Sequence, residues 1–225
     1  MKITLMKGRL RYKNERKEVA RFMRRLYRQG LTTTSGGNIS KRLTDDVILI
    51  TPSATDKGKM KWKEVGIVSI KGRNLTPGIK LSIESALHLG IYKKNPDVSA
   101  VIHAHPVFAS SFTAMDTEIN TCLTAEARVI CGKPMFVPYK LMGTPELAAC
   151  VADNSVLADV LLLENHGIIT FGNSLLNAFG KLEVLENAAK MTLITKMTGN
   201  IREMSSSQVQ EIDRLYGHRK KITQT

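Results

Sequence analysis

The sequence predicts a mixed α/β fold, and three observations carry that expectation. Helix-period segments and short extended apolar segments alternate along the 225 residues. Two apolar runs, VIHAHP and VLLLENHG, read as buried strands with histidines near their termini. No internal repeat or low-complexity linker divides the chain, and 43% hydrophobic content is ordinary for a core of this size, so one compact domain over residues 1–225 is expected.

In chain order, Val19, Phe22, Met23 and Leu26 fall at i, i+3, i+4, i+7 and predict an amphipathic helix, with Gly30 where its C-cap would sit. Arg16, Lys17, Arg21, Arg24, Arg25 and Arg28 are expected mainly on its solvated side. The polar run TTTSGGNIS reads as a turn, followed by an apolar strand from Val47 to Thr51 that Pro52 closes. TDKGKMKWKEVGIVSI is polar and then alternating, which predicts a loop and an edge strand with Trp62 nearby. Ser82 precedes a helix over SIESALHLGIYKK that stops at Pro96.

DVSAVIHAHPVF predicts a strand ending at Pro106, and ADVLLLENHGIITFG a second buried strand. Between them, Thr144-Pro145-Glu146 has the N-cap, first-turn proline and first-turn carboxylate of a helix through Val151. Ser174 caps a longer helix to about Met197, with Gly199 beyond it. The tail SSSQVQEIDRLYGHRKK predicts a short helix fraying into a basic, mobile end that contains His218.

The net charge of +13 raises a nucleic-acid reading. Its distribution argues against that: residues 1 to 28 carry eleven Lys/Arg against two Glu, leaving 22 basic and 18 acidic side chains for the remainder. No aromatic-rich stacking motif accompanies the basic segment, so a solvated helix face accounts for it, with attraction of anionic sugar phosphates a compatible role. No apolar stretch has the length of a bilayer span or a signal-peptide core, which predicts a cytoplasmic protein. Cys122, Cys131 and Cys150 are odd in number and far apart, as expected of reduced thiols.

The chemistry resides in the histidines. In an extended strand, side chains two apart share a face, so His103 and His105 can converge on one ion, while Ala104 points away. His166 follows the second apolar strand and precedes Gly167, which relieves crowding beside a ligand. Three imidazoles suit zinc or a similar divalent metal and leave a position open for substrate. Isolated histidines at strand ends also serve as hydrogen-bonded structure, and His88 is read that way, although it competes as third ligand. Glu84, in the first turn of its helix, can ligate an ion or carry a proton.

With these residues in place, the chain resembles the class II aldolase/adducin-head family, most closely its L-fuculose-1-phosphate aldolase branch. The blocks TSGGNIS (34–40), ITPSA (50–54), LSIESALH (81–88), VIHAHP (101–106), VPYKLMGTPELA (137–148), LLENHG (162–167) and LYG (215–217) carry the resemblance. It implies a three-layer fold with a central, largely antiparallel sheet between helices, and a homotetramer with active sites between subunits. It implies zinc on His103, His105 and His166, and Glu84 as both ligand and acid/base. Gly37, Asn38, Ser53, Ala54, Ser82 and Ile83 would line the substrate phosphate. The family commonly has Gly at the position of Ala54 and Ser at that of Ile83, so a hydroxyl donor is missing. Lys57 and Lys59 could supply replacement charge or be merely solvated.

The branch's mid-chain tyrosine has no counterpart between Asn120 and Ile130, which leaves the tail residue Tyr216 as the aromatic proton donor. The reaction expected from the resemblance is cleavage of a ketose 1-phosphate to dihydroxyacetone phosphate and a short aldehyde such as L-lactaldehyde. The alternatives are L-ribulose-5-phosphate 4-epimerase, a branch that normally has Asp in place of Glu84, a sugar-phosphate dehydratase or decarboxylase, and a non-catalytic adducin-like interaction module.

Overall fold

A computed structural model describes residues 12–199 and 201–217; His218 and the basic end of the tail lie outside the described residues. The first helix, α1 (Lys13–Arg28), buries Val19, Phe22, Met23 and Leu26 as their spacing predicts. Arg16 departs from expectation. It stands three and four residues before Val19 and Ala20, on the inward face, and is 1% exposed. Its guanidinium lies 5.5 Å from the Trp62 ring and donates to the Lys63 carbonyl at 3.0 Å.

The next strands are β1 (Asn38–Arg42), β2 (Val47–Ile50) and β3 (Gly66–Ser69). β1 is a correction to the turn read from TTTSGGNIS: its sequence NISKR is polar, yet it pairs antiparallel with β2 on one side and β4 (Ala100–Ala104) on the other. Helix α2 (Ser85–Lys94) precedes β4, and the short helices α3 (Val107–Ser111) and α4 (Ala125–Cys131) follow it. After β5 (Met135–Val137) comes α5 (Pro145–Asn154), where the Thr144 hydroxyl accepts from the Leu147 amide as its cap.

The segment ADVLLLENHGIITFG is two strands rather than one. β6 (Val160–Leu163) and β7 (Gly167–Gly172) pair antiparallel around a turn in which Asn165 takes a left-handed conformation, φ 51°. Two helices complete the described residues: α6 (Leu175–Thr198) and α7 (Ser206–Tyr216), the latter opened by a reciprocal Ser205/Gln208 cap.

The strands form one sheet in the order β3-β2-β1-β4-β7-β6-β5, antiparallel at every step except β5–β6. Alternation sorts the side chains into two layers. Ala100, Ile102, Val160, Leu162 and Ile168 pack with Phe22, Met23, Phe179, Leu182 and Leu185 of α1 and α6. Val101, Leu161, Leu163, Ile169 and Phe171 pack with Leu87, Ile91, Leu147 and Val151 of α2 and α5. The architecture is therefore the three-layer, largely antiparallel α/β fold that was expected. Among the described residues, no helix is long and apolar enough to cross a membrane.

The loop after β2 holds Ala54 at φ 52°. A left-handed conformation costs an L-residue roughly 1–2 kcal/mol, whereas glycine pays roughly 0.5–1 kcal/mol more chain entropy on folding. Ala54→Gly should therefore stabilise the protein by up to about 1 kcal/mol. Chemical denaturation measures this, and a destabilised variant would contradict the strained assignment.

Candidate metal centre

Three segments end at one place on the α2 side of the sheet. Alternation puts His103 on that face with Val101, and the chain turns out of β4 at His105 because Pro106 cannot continue the ladder. The β6–β7 turn delivers His166, whose amide donates to the Leu163 carbonyl at 3.0 Å. α2 begins against the same face, with Glu84 as its N-cap residue. Close approach of backbone to ring demands glycine here: a Cβ at Gly167 would lie 2.4 Å from His105 Cδ2, and one at Gly36 would lie 2.8 Å from His105 Nδ1.

The ring centroids of His103 lie 4.7 Å from those of both His105 and His166. His103 Nε2 is 3.0 Å from His105 Nε2 and 3.4 Å from Glu84 Oε2, and His166 Nε2 is 3.3 Å from Glu84 Oε1. Ligand atoms bound at 2.0–2.1 Å to one tetrahedral ion stand roughly 3.3 Å apart, which is the spacing seen. His103 Nδ1 donates to the Ile168 carbonyl at 3.0 Å, so its Nε2 carries a lone pair towards the cluster. Glu84 is 7% exposed, and its Oε1, like His166 Nδ1, is buried without a hydrogen-bond partner. A buried carboxylate with one oxygen unpartnered, set beside a cluster of three imidazole nitrogens, is an acceptor that a cation would satisfy, so this donor set fits a divalent metal.

Burial lowers the pKa of His103 well below its ordinary value, and its neighbours His105 and His166 depress it further. Burial and then His166 likewise lower His105. The His103 and His105 rings are neutral near pH 7, which leaves lone pairs for a metal and makes the His103–Glu84 contact something other than an ion pair.

The remaining predicted residues surround this point unevenly. Asn38, paired opposite His103 on β1, donates from Nδ2 to Glu84 Oε2 at 2.6 Å. Gly37 precedes it with φ 67°. Ser53 Oγ accepts from the Ile83 amide at 3.2 Å, and Ser82 Oγ accepts from the Glu84 amide at 3.2 Å. Ile83 is 60% exposed. Lys57 is neither solvated nor free: it is 1% exposed, donates to the Pro52 carbonyl at 2.7 Å, and burial pulls its pKa down to about 8.

Tyr216 is exposed and lies elsewhere in the chain, on a groove of about 500 Å³ between α4 and α7 that no residue of the histidine cluster lines. His88 is fully buried, with both ring nitrogens engaged by Asn38 and Ser40. Ser40 and Tyr92, neither of them predicted as site residues, complete its surroundings. The signal for Tyr92 was the spacing of Glu84, His88 and Tyr92 at every fourth residue of a helix.

An antiparallel-sheet α/β fold that gathers three imidazoles and a carboxylate at its strand ends defines the class II aldolase type of protein. The chain belongs to the Class II Aldolase and Adducin N-terminal domain family, whose profile matches residues 17–193. It is 30% identical to the 3-oxo-tetronate 4-phosphate decarboxylase of Haemophilus influenzae, over 84% of this chain and 91% of that one. It is 36% identical to the L-fuculose phosphate aldolase of Methanococcus vannielii, over 79% and 95% of the two chains. A solved L-fuculose 1-phosphate aldolase superposes with a TM-score of 0.82 at 26% identity, covering 89% of this chain and 95% of that one.

The depressed histidines give a stability profile with a definite sign. Burial holds the folded pKa of His88 down at about 3 against an ordinary 6.5, and that of His103 is also far below 6.5. Between these values the unfolded chain binds protons that the folded one refuses, so the contribution is complete above pH 6.5 and falls as pH drops towards about 3. The slope approaches about 1.4 kcal/mol per pH unit for each such histidine. Urea unfolding of metal-free protein across this window measures it; stability that rises on acidification would contradict the buried neutral rings.

Proposed function

We propose that the protein is a zinc-dependent aldolase that cleaves a ketose 1-phosphate of the L-fuculose 1-phosphate type to dihydroxyacetone phosphate and a short aldehyde. The observation that carries this reading is the placement of Glu84 beside the cluster of His103, His105 and His166, with Oε2 held by Asn38 and facing His103, and Oε1 without a hydrogen bond and facing His166. The similarity to L-fuculose phosphate aldolases supports the substrate class.

In this reading the three histidines and Glu84 hold the ion, which, when bound, supplies positive charge to stabilise the negative charge developing on substrate oxygens as the carbon–carbon bond breaks. Glu84 Oε1 would pass to the substrate carbon left carrying that charge one proton, which the substrate hydroxyl supplies as it becomes the aldehyde carbonyl. Burial keeps bulk water from competing for the proton, and the Asn38 bond keeps the carboxylate from rotating away. Gly37, Asn38, Ser53, Ala54, Ser82 and Ile83 border the phosphate, with Ile83 replacing a donor by an apolar surface.

The chain is read as one such domain acting in a homotetramer. Tyr216, remote from the cluster within its own chain, would come from a neighbouring subunit. The exposed side chains of Ile83, Tyr139, Leu141 and Met142, close to the site, support burial against such a neighbour. A cytoplasmic protein acting on small sugar phosphates rather than nucleic acid completes the reading.

A second reading, decarboxylation of a 3-oxo acid phosphate, is favoured by the similarity to the H. influenzae enzyme. Both reactions leave negative charge beside a carbonyl, and they differ in the bond broken. A metal-replete screen separates them: release of dihydroxyacetone phosphate from a ketose 1-phosphate is the expected result, and carbon dioxide release from a 3-oxo acid phosphate without aldol cleavage would replace it. Glu84→Gln should retain metal by elemental analysis while turnover falls at least about 100-fold. An active variant would remove Glu84 from proton transfer.

A further inference from the structure

Helix α2 and strand β1 run alongside one another with matched rungs. Glu84, His88 and Tyr92 recur every four residues of the helix, and Asn38, Ser40 and Arg42 every two residues of the strand. Four helical residues rise about 6.0 Å and two strand residues about 6.7 Å, so the two series stay in step over this length. Each rung makes a polar contact. Asn38 Nδ2 meets Glu84 Oε2 at 2.6 Å, Asn38 Oδ1 meets His88 Nε2, and His88 Nδ1 meets Ser40 Oγ at 2.6 Å. Ser40 Oγ meets the Tyr92 hydroxyl at 2.8 Å, and Arg42 donates to the Tyr92 carbonyl at 2.6 Å.

The chemistry of the partners sets the direction of these bonds. A carboxylate only accepts, so the Asn38 amide nitrogen must face Glu84 and its carbonyl oxygen must face His88. That oxygen also only accepts, so His88 carries its proton on Nε2. A neutral ring then presents a lone pair at Nδ1, which takes the Ser40 hydroxyl hydrogen, and the Tyr92 hydroxyl donates to Ser40 in turn. Asn38, Ser40, His88 and Tyr92 are each at most 4% exposed, so water offers little competition.

We infer that His88 is a positioning residue for Glu84: by donating to Asn38 it fixes which end of the amide meets the carboxylate, and Ser40 and Tyr92 lock its tautomer from behind. The inference rests on the reading of Glu84 as the acid/base group. Without the Nε2 proton, the Asn38 amide can turn over and set its oxygen against the carboxylate, which pushes Glu84 off its present orientation. The series does not conduct protons, because an amide stands in the middle of it. It acts on geometry alone, leaving Oε1 as the oxygen without a hydrogen bond, facing His166.

The test has two arms. Long-range 1H–15N spectra of metal-free wild-type protein, with His88 assigned by comparison with His88→Gln, should show His88 as the Nε2–H tautomer; an Nδ1–H ring would overturn the inference. In the metal-loaded enzyme, His88→Phe should lower kcat about 10- to 100-fold with KM little changed and metal content intact, the size of effect typical of groups behind a ligand. His88→Gln, whose side-chain N–H can reach Asn38 Oδ1, should recover part of that loss. Wild-type kcat in His88→Phe would overturn it. So would equal losses in both variants, which a merely structural role predicts. If His88→Phe fails to fold, His88→Gln and the spectra decide. If wild-type protein turns over no sugar phosphate, the proposed function fails while the spectra still decide the tautomer on which the inference stands.

Discussion

A carboxylate taken out of water has to be met by donors or by a cation, and the surroundings of Glu84 answer that requirement from two directions. One oxygen receives the Asn38 amide. It also faces His103, whose ring burial and its histidine neighbours keep neutral and unable to balance the charge, while the other oxygen stands 3.3 Å from His166 Nε2 without a hydrogen bond. The deficit is what an ion would fill. The sheet order, the start of α2 and the β6–β7 turn are all needed to bring these groups within 3.0–3.4 Å contacts.

The fold meets the constraint with little specialised structure. β4 is central, flanked by β1 and β7, so residues at its end are reached from both sides. β1 supplies Asn38 directly opposite His103, and β7 supplies the Ile168 carbonyl that sets the His103 tautomer. Glycines at 36 and 167 leave the volume that the His105 ring takes. The polar character of β1, unusual for a strand so deep in a sheet, is explained by the side chains of α2 that satisfy it.

Much of this was legible in the sequence, for identifiable reasons. The helices carried caps and periodic apolar faces, and the histidines stood where buried strands end. β1 was not legible, because NISKR lacks the apolar alternation of a central strand and owes its place to partners far along the chain. The hairpin of β6 and β7 was read as one strand because both halves are apolar and the turn between them is only Glu164 to His166. Arg16 looked solvent-facing by composition, although its helical phase is that of the core. The alignment of α2 over β1 was hidden for a similar reason: four-residue spacing in one segment and two-residue spacing in another acquire meaning only once the two are known to touch.

The proposed chemistry requires one cation shared by His103, His105, His166 and Glu84. X-ray absorption of the zinc-loaded protein tests that most directly. The expected result is one zinc per chain with three imidazole nitrogens at about 2.0–2.1 Å, and a spectrum that changes in Glu84→Gln. Failure to bind zinc stoichiometrically, or a bound ion without three imidazoles in its shell, would contradict it.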